Sequence, residues 1–138
     1  MIRVAQPSVG SEEVRAVTET LLSGNYVSGK RVEEFEKRFA KFIGVKYAVA
    51  VNSGTAAIHT ILASAGIGRG DEVIVPPLSF FATISPVLFQ NATPVFADVA
   101  PDTYCIDPSA VERKITSRTR AILPVHLFGQ AADMKRLI

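Results

Sequence analysis

Tryptophan is absent from this 138-residue chain, cysteine occurs once, and histidine and methionine occur twice each. A single cysteine cannot close an intramolecular bridge, so a disulfide-stapled secreted scaffold is excluded and stability must come from a packed core. Flanked by Tyr104 and Ile106, Cys105 reads as an ordinary buried or half-buried thiol, and the cytosol is the expected compartment. No apolar run reaches the roughly 18 residues of a membrane span. The first seven residues lack the apolar core and small-residue cleavage site of a signal peptide, so a soluble protein with no membrane partner is expected. Fifteen Lys+Arg against thirteen Asp+Glu leave a formal charge of +2. The basic residues are scattered from Arg3 to Arg136 without forming a block, which argues against nucleic acid as a partner. Internal repeats and low-complexity stretches are lacking as well, and no metal site is read from the sequence.

What is present is a globular composition, 48% hydrophobic and 20% charged, with a mean hydropathy of +0.25. At about 100–200 residues per domain the chain has room for one core. Residues 1–45 read as an N-terminal helical segment. Ser11 is placed to cap a first helix, with Glu12 and Glu13 on the positive end of its dipole and Val14, Val17, Leu21 and Leu22 as its stripe. Ser23-Gly24-Asn25 ends it. After a loop over 25–30, Val32, Phe35, Phe39 and Phe42 repeat at helical spacing until Gly44, opposite a solvated face of Glu33, Glu36, Lys37, Arg38 and Lys41.

From residue 46 to 138 the pattern changes to short β-rich runs separated by helical stretches. The runs are Tyr47 to Val51, Glu72 to Val75, Pro94 to Val99 and Arg120 to Val125. Between them, Thr55 to Ala65 and Phe80 to Gln90 read as helices, Asp107-Pro108 as the N-cap and first residue of a third. Pro86 interrupts the second helix and predicts a kink or break near Ser85. Connections of this length serve parallel pairing, so the expected fold class is α/β. A mostly parallel sheet with right-handed connections and helices on both faces makes three layers, α/β/α. Ala131 to Ile138 reads as a helix that stops after about two turns without a cap, as though cut within an element.

Three strand-end segments carry candidate chemistry. Asn52-Ser53-Gly54-Thr55-Ala56-Ala57 joins a strand to a helix, where free amides, two hydroxyls and the helix dipole suit an anion such as phosphate. A plain N-cap and tight turn is the alternative. The segment is neither GxGxxG nor GxxxxGK[ST], so dinucleotide and P-loop readings have no support. Pro76-Pro77-Leu78-Ser79-Phe80-Phe81 follows the next strand, with Phe80 placed to lie over a flat ligand and Phe81 facing the core; simple packing of both rings is the alternative. His126 sits at the last strand end, either to hydrogen-bond a ligand or as a satisfied structural histidine, and His59 reads as packing or partly exposed.

In order, Asn25-Tyr26-Val27-Ser28-Gly29, Asn52-Ser53-Gly54-Thr55-Ala56-Ala57, Asp71 to Pro76, Phe80-Phe81-Ala82-Thr83, Pro94 to Val99 and Pro124-Val125-His126-Leu127-Phe128-Gly129 resemble the DegT/DnrJ/EryC1/StrS aminotransferases. The resemblance implies a pyridoxal 5'-phosphate enzyme that aminates nucleotide-linked keto sugars, with residues 46–138 an incomplete, C-terminally truncated part of a fold-type-I large domain. It implies that Ser53, Gly54, Thr55 and Ala56 cradle the cofactor phosphate and that Phe80 stacks on its ring. Tyr26, Ser28, Gly29 and His126 are implied at the substrate, with Gln130 on the pocket floor. The family's Schiff-base lysine and its pyridine-nitrogen acid are expected beyond residue 138. None of Lys30, Lys37, Lys41, Lys46, Lys114 and Lys135 is placed as an activated amine, so no catalytic residue is assigned. Glutamate or glutamine is the implied amino donor and a homodimer the implied assembly, with a role in polysaccharide or antibiotic sugar biosynthesis. Two other readings keep the same motifs: a sugar dehydratase of the same family, and a non-catalytic binding module.

Overall fold

A computed structural model describes residues 6–138, in two compact units, the first ending at Ala50 and the second spanning Val51–Ile138. In the first unit, α1 (Ser11–Ser23) starts after Gly10, whose amide donates to Glu13 Oε2 at 2.7 Å. Ser11 is therefore the first helical residue and not the cap, because Glu13 reaches back to perform the capping. Gly24 and Gly44 close α1 and α2 (Lys30–Ile43) with φ of 72° and 82°, the left-handed conformation that glycine adopts without a Cβ clash. On α2 the Phe35 and Phe39 rings lie 5.7 Å apart, as their spacing of four predicts.

The second unit holds the sheet. Strand β1 (Glu72–Val75) pairs in parallel with β2 (Thr93–Phe96) on one side and β3 (Thr119–Ile122) on the other, in the order β2-β1-β3. Alternation along β1 divides the core. Val73 and Val75 face α3 (Gly54–Ser64) and α4 (Ser85–Phe89), packing with Leu62, Ile67 and Val87. Ile74 faces the other way, toward Ile106 and the Ala110 and Val111 side chains of α5 (Pro108–Glu112), with Leu137 of α6 (Met134–Leu137) against the same cluster. Helices thus cover both faces, and central β1, buried at all four positions, is the strand that reads as an unbroken apolar run after Glu72. The helices after β1 and β2 lie on opposite faces, as same-handed crossovers leaving in opposite directions require.

Several sequence expectations are corrected. The run 47–51 forms no strand, because it finds no ladder partner among the described residues. The strand expected over 94–99 shortens to Thr93–Phe96, with Val99 in an isolated antiparallel bridge to Ile106, and the strand expected over 120–125 becomes Thr119–Ile122. The helix expected over 80–90 breaks into a 3-10 turn (Phe81–Thr83) and α4, in which Pro86 falls in the first turn, where its missing N–H is not needed. This is the break near Ser85. Phe80 lies outside the helix, and Phe81 is 65% exposed rather than core-facing, because the 3-10 turn rotates it off the packed side. The final helix is confined to Met134–Leu137, capped by Asp133, whose carboxylate accepts from the Arg136 amide. Asp107 caps α5 as expected, accepting from the Ser109 amide at 2.9 Å.

One buried acid ties the sheet together. Glu72 receives the Thr116 hydroxyl at 2.5 Å and Arg118 Nε at 2.8 Å, joining the start of β1 to the approach to β3. The Thr116 hydrogen bond first, and then Arg118, hold its carboxyl below the usual carboxylate range against the opposing effect of burial. A carboxyl with a lowered folded-state pKa contributes stability above its unfolded pKa, about 4.3, and loses it as pH falls through the folded value. Glu72→Gln is expected to lower the melting temperature at neutral pH and to flatten its decline in acid. Parallel pH profiles by circular dichroism for the two proteins would refute this role.

Candidate functional site

Parallel topology places the C-terminal ends of β1 and β3 side by side, and the chain leaves them toward opposite faces, β1 toward α4 and β3 toward α6. Open α/β sheets take ligands at strand ends where neighbouring connections leave toward opposite faces in this way. The segment 76–80 leaves β1 here, and 123–130 leaves β3.

At the start of α3, Ser53 is extended and its Oγ accepts the Ala56 amide at 3.1 Å, while its carbonyl accepts the Ala57 amide. Ser53 is a true N-cap, so its hydroxyl oxygen is already engaged. The amides of Gly54 and Thr55 and the Thr55 hydroxyl meet no protein acceptor among the described residues. A Cβ built on Gly54 would meet nothing within 4 Å, so the space in front of the turn is open. Two free amides, one hydroxyl and the positive end of an 11-residue helix, with no carboxylate on the turn, form a donor set that fits a phosphate. A helix dipole of this sense favours an anion at the N-terminus by about 0.3–1 kcal/mol.

Phe80 immediately precedes the 3-10 turn, in extended conformation, and is 81% exposed. Its ring is not core packing. The 3-10 turn itself packs against α3. On the β3 side, exposed His126 accepts the Ala132 amide at Nδ1, 3.1 Å away. An accepting Nδ1 in a neutral imidazole puts the proton on Nε2, which remains a donor. The Gln130 carbonyl accepts the buried Cys105 thiol at 3.2 Å, so that thiol is a structural donor. His59 packs edge-on to Phe89, ring centroids 5.6 Å apart.

Tyr26, Ser28 and Gly29 belong to the first unit. The Tyr26 hydroxyl donates to the Leu21 carbonyl at 2.9 Å, closing the end of α1, whereas Ser28 and Gly29 line a cavity of about 450 Å³ with Thr20, Ser23, Asn25 and Lys30. All six lysines are exposed. No group of three or more His, Cys, Asp or Glu among the described residues is placed to hold a metal, and no described helix is long and apolar enough to cross a membrane. Sequence reading missed the hydroxyl pair of Ser79 and Thr83, which flank Phe80 in the chain and lie 2.7 Å apart, for which an S-x-x-x-T spacing gives no distinctive signal.

The described residues form a three-layer α/β/α frame of the α/β class, with an open donor turn at Gly54 and Thr55 and an exposed aromatic ring at Phe80. The chain belongs to the DegT/DnrJ/EryC1/StrS aminotransferase family, which it matches over residues 7–138. It is 50% identical over 132 residues to the spore coat polysaccharide biosynthesis protein SpsC of Bacillus subtilis, covering 96% of this chain and 34% of that one. With GDP-perosamine synthase of Caulobacter vibrioides it shares 45% identity over 139 residues, 99% of this chain and 37% of the relative. The structure of the putative sugar aminotransferase Spr1654 from Streptococcus pneumoniae, in its PMP form, superposes with a TM-score of 0.93 at 36% identity, covering 99% of this chain and 34% of that one. The chain therefore spans about a third of the length of the curated relatives it matches.

Proposed function

We propose that this chain is the N-terminal part of a pyridoxal-phosphate-dependent aminotransferase that transfers an amino group from glutamate or glutamine to a nucleotide-linked keto sugar. The observation that carries the reading is the open donor turn at Gly54 and Thr55, in a chain of this family. Similarity to GDP-perosamine synthase supports the substrate class.

In this reading the Gly54 and Thr55 amides and the Thr55 hydroxyl bind the cofactor phosphate, while Ser53 holds the helix start rigid and Ala56 keeps the first turn narrow. Phe80 supplies the apolar platform for the ring. His126 Nε2 offers a donor from the neighbouring strand end, and Tyr26, Ser28 and Gly29 contact substrate from their own unit. When bound, pyridoxal phosphate supplies an electron sink for bonds at the amine-bearing carbon. The lysine and the acid that complete the chemistry belong to the rest of the enzyme, so the 138 residues alone anchor and orient without turning over. A homodimer and a cytosolic setting complete the proposal.

Thr55→Val tests the cradle. In the full-length enzyme the loss of a hydrogen bond to a charged group is expected to weaken cofactor retention about tenfold or more. The melting temperature of the apo form should hardly move, since the hydroxyl has no protein partner among the described residues. Unchanged affinity by equilibrium dialysis would remove the turn from the site.

A further inference from the structure

We propose that Ser79 and Thr83 are a positioning pair that fixes the direction in which Phe80 presents its ring; the proposal rests on the pyridoxal-phosphate reading above. Phe80 is 81% exposed and is not among the side chains packed in either core cluster. Neighbouring side chains do little to orient such a ring, so its direction follows from the backbone that carries it. That backbone is fixed from both sides. Before it stands Pro76, fully buried behind β1, and then Pro77. After it, the Thr83 amide donates to the Phe80 carbonyl at 2.9 Å, and the Ile84 amide to the Phe81 carbonyl at 2.9 Å.

The Ser79 and Thr83 hydroxyls, 2.7 Å apart, close this arch from within. Thr83 is buried and Ser79 half-buried, so water competes poorly for their bond. Because the 3-10 turn also packs on α3, the arch ties the ring to the same helix whose first turn offers the phosphate donors. A platform and an anchor that must meet one ligand are thereby held on one rigid support. Phe80 touches the ligand in this scheme; Ser79 and Thr83 act only through Phe80.

The test is a double-mutant cycle in the full-length enzyme, reading the pyridoxal-phosphate dissociation constant, with hydrogen exchange of the Thr83 amide in the 138-residue chain as a cofactor-free readout. Thr83→Val, which keeps the shape and removes the hydroxyl, is expected to speed that exchange and to weaken cofactor binding about fivefold. Thr83→Ser should restore both. In a Phe80→Ala background, Thr83→Val should add nothing, because the ring it positions is gone. A Thr83→Val loss that persists in that background marks the pair as merely structural and overturns the proposal. Weak binding in Phe80→Ala alongside normal binding in Thr83→Val overturns the pair but leaves stacking intact. Normal binding in Phe80→Ala instead sinks the stacking reading itself. Should Thr83→Val fail to fold, Ser79→Ala, which deletes the partner hydroxyl, carries the same cycle.

Discussion

Mixing the 138-residue chain with pyridoxal phosphate, reducing with borohydride and mapping the peptides is expected to find no lysine labelled stoichiometrically, and the chain is expected to transfer no amino group to a keto sugar. The expectation rests on where the six lysines stand. Lys30, Lys37 and Lys41 are on exposed α2, Lys46 lies over the Tyr47 ring at 5.0 Å, Lys114 follows α5 and Lys135 is on α6, every one exposed to solvent. An amine that serves as a covalent catalyst is activated by desolvation or by a neighbouring cation, and solvent-facing positions do not provide the first of these. Weak labelling spread over several lysines fits this account. Stoichiometric labelling of one lysine, accompanied by transamination, would show that the chain holds a complete catalytic centre.

Phe80→Ala is expected to cost the full-length enzyme most of its hold on the cofactor ring while leaving the fold in place. A core phenylalanine truncated to alanine loses about 3–5 kcal/mol of stability, because transfer free energy and a cavity both count against the variant. Phe80 is mostly in solvent, so neither applies at full strength, and only a small change in melting temperature is expected. Phe80→Tyr should retain cofactor, since the ring face is kept. Denaturant titration beside cofactor titration separates the outcomes: a large stability loss with unchanged cofactor affinity would return Phe80 to ordinary packing. Phe81, its neighbour, gives the useful contrast, being exposed but one residue inside the 3-10 turn.

Local chemistry determined much of this protein directly from its sequence. Asp107-Pro108 starts α5 because a carboxylate and a ring lacking N–H suit a helix N-terminus, Gly24 and Gly44 end α1 and α2 because they accept positive φ, and Glu72 to Val75 is a strand because an apolar β-branched run suits a buried sheet centre. The Ser53 turn was legible for the same reason: cap, glycine and hydroxyl are neighbours in the chain. Tertiary structure alone decided what depends on distant partners. The run 47–51 has strand composition but no ladder, since a strand needs a second strand to take its hydrogen bonds. Glu72 is buried at a sheet centre only because Thr116 and Arg118, more than 40 residues later, arrive to pair with it. Phe80 and Phe81 have the same side chain, and sequence divided them between ligand and core. The 3-10 turn put both in solvent and left Ser79 and Thr83 to hold the arch, because the direction of a side chain is set by the backbone path, and that path by what α3 and the sheet leave room for.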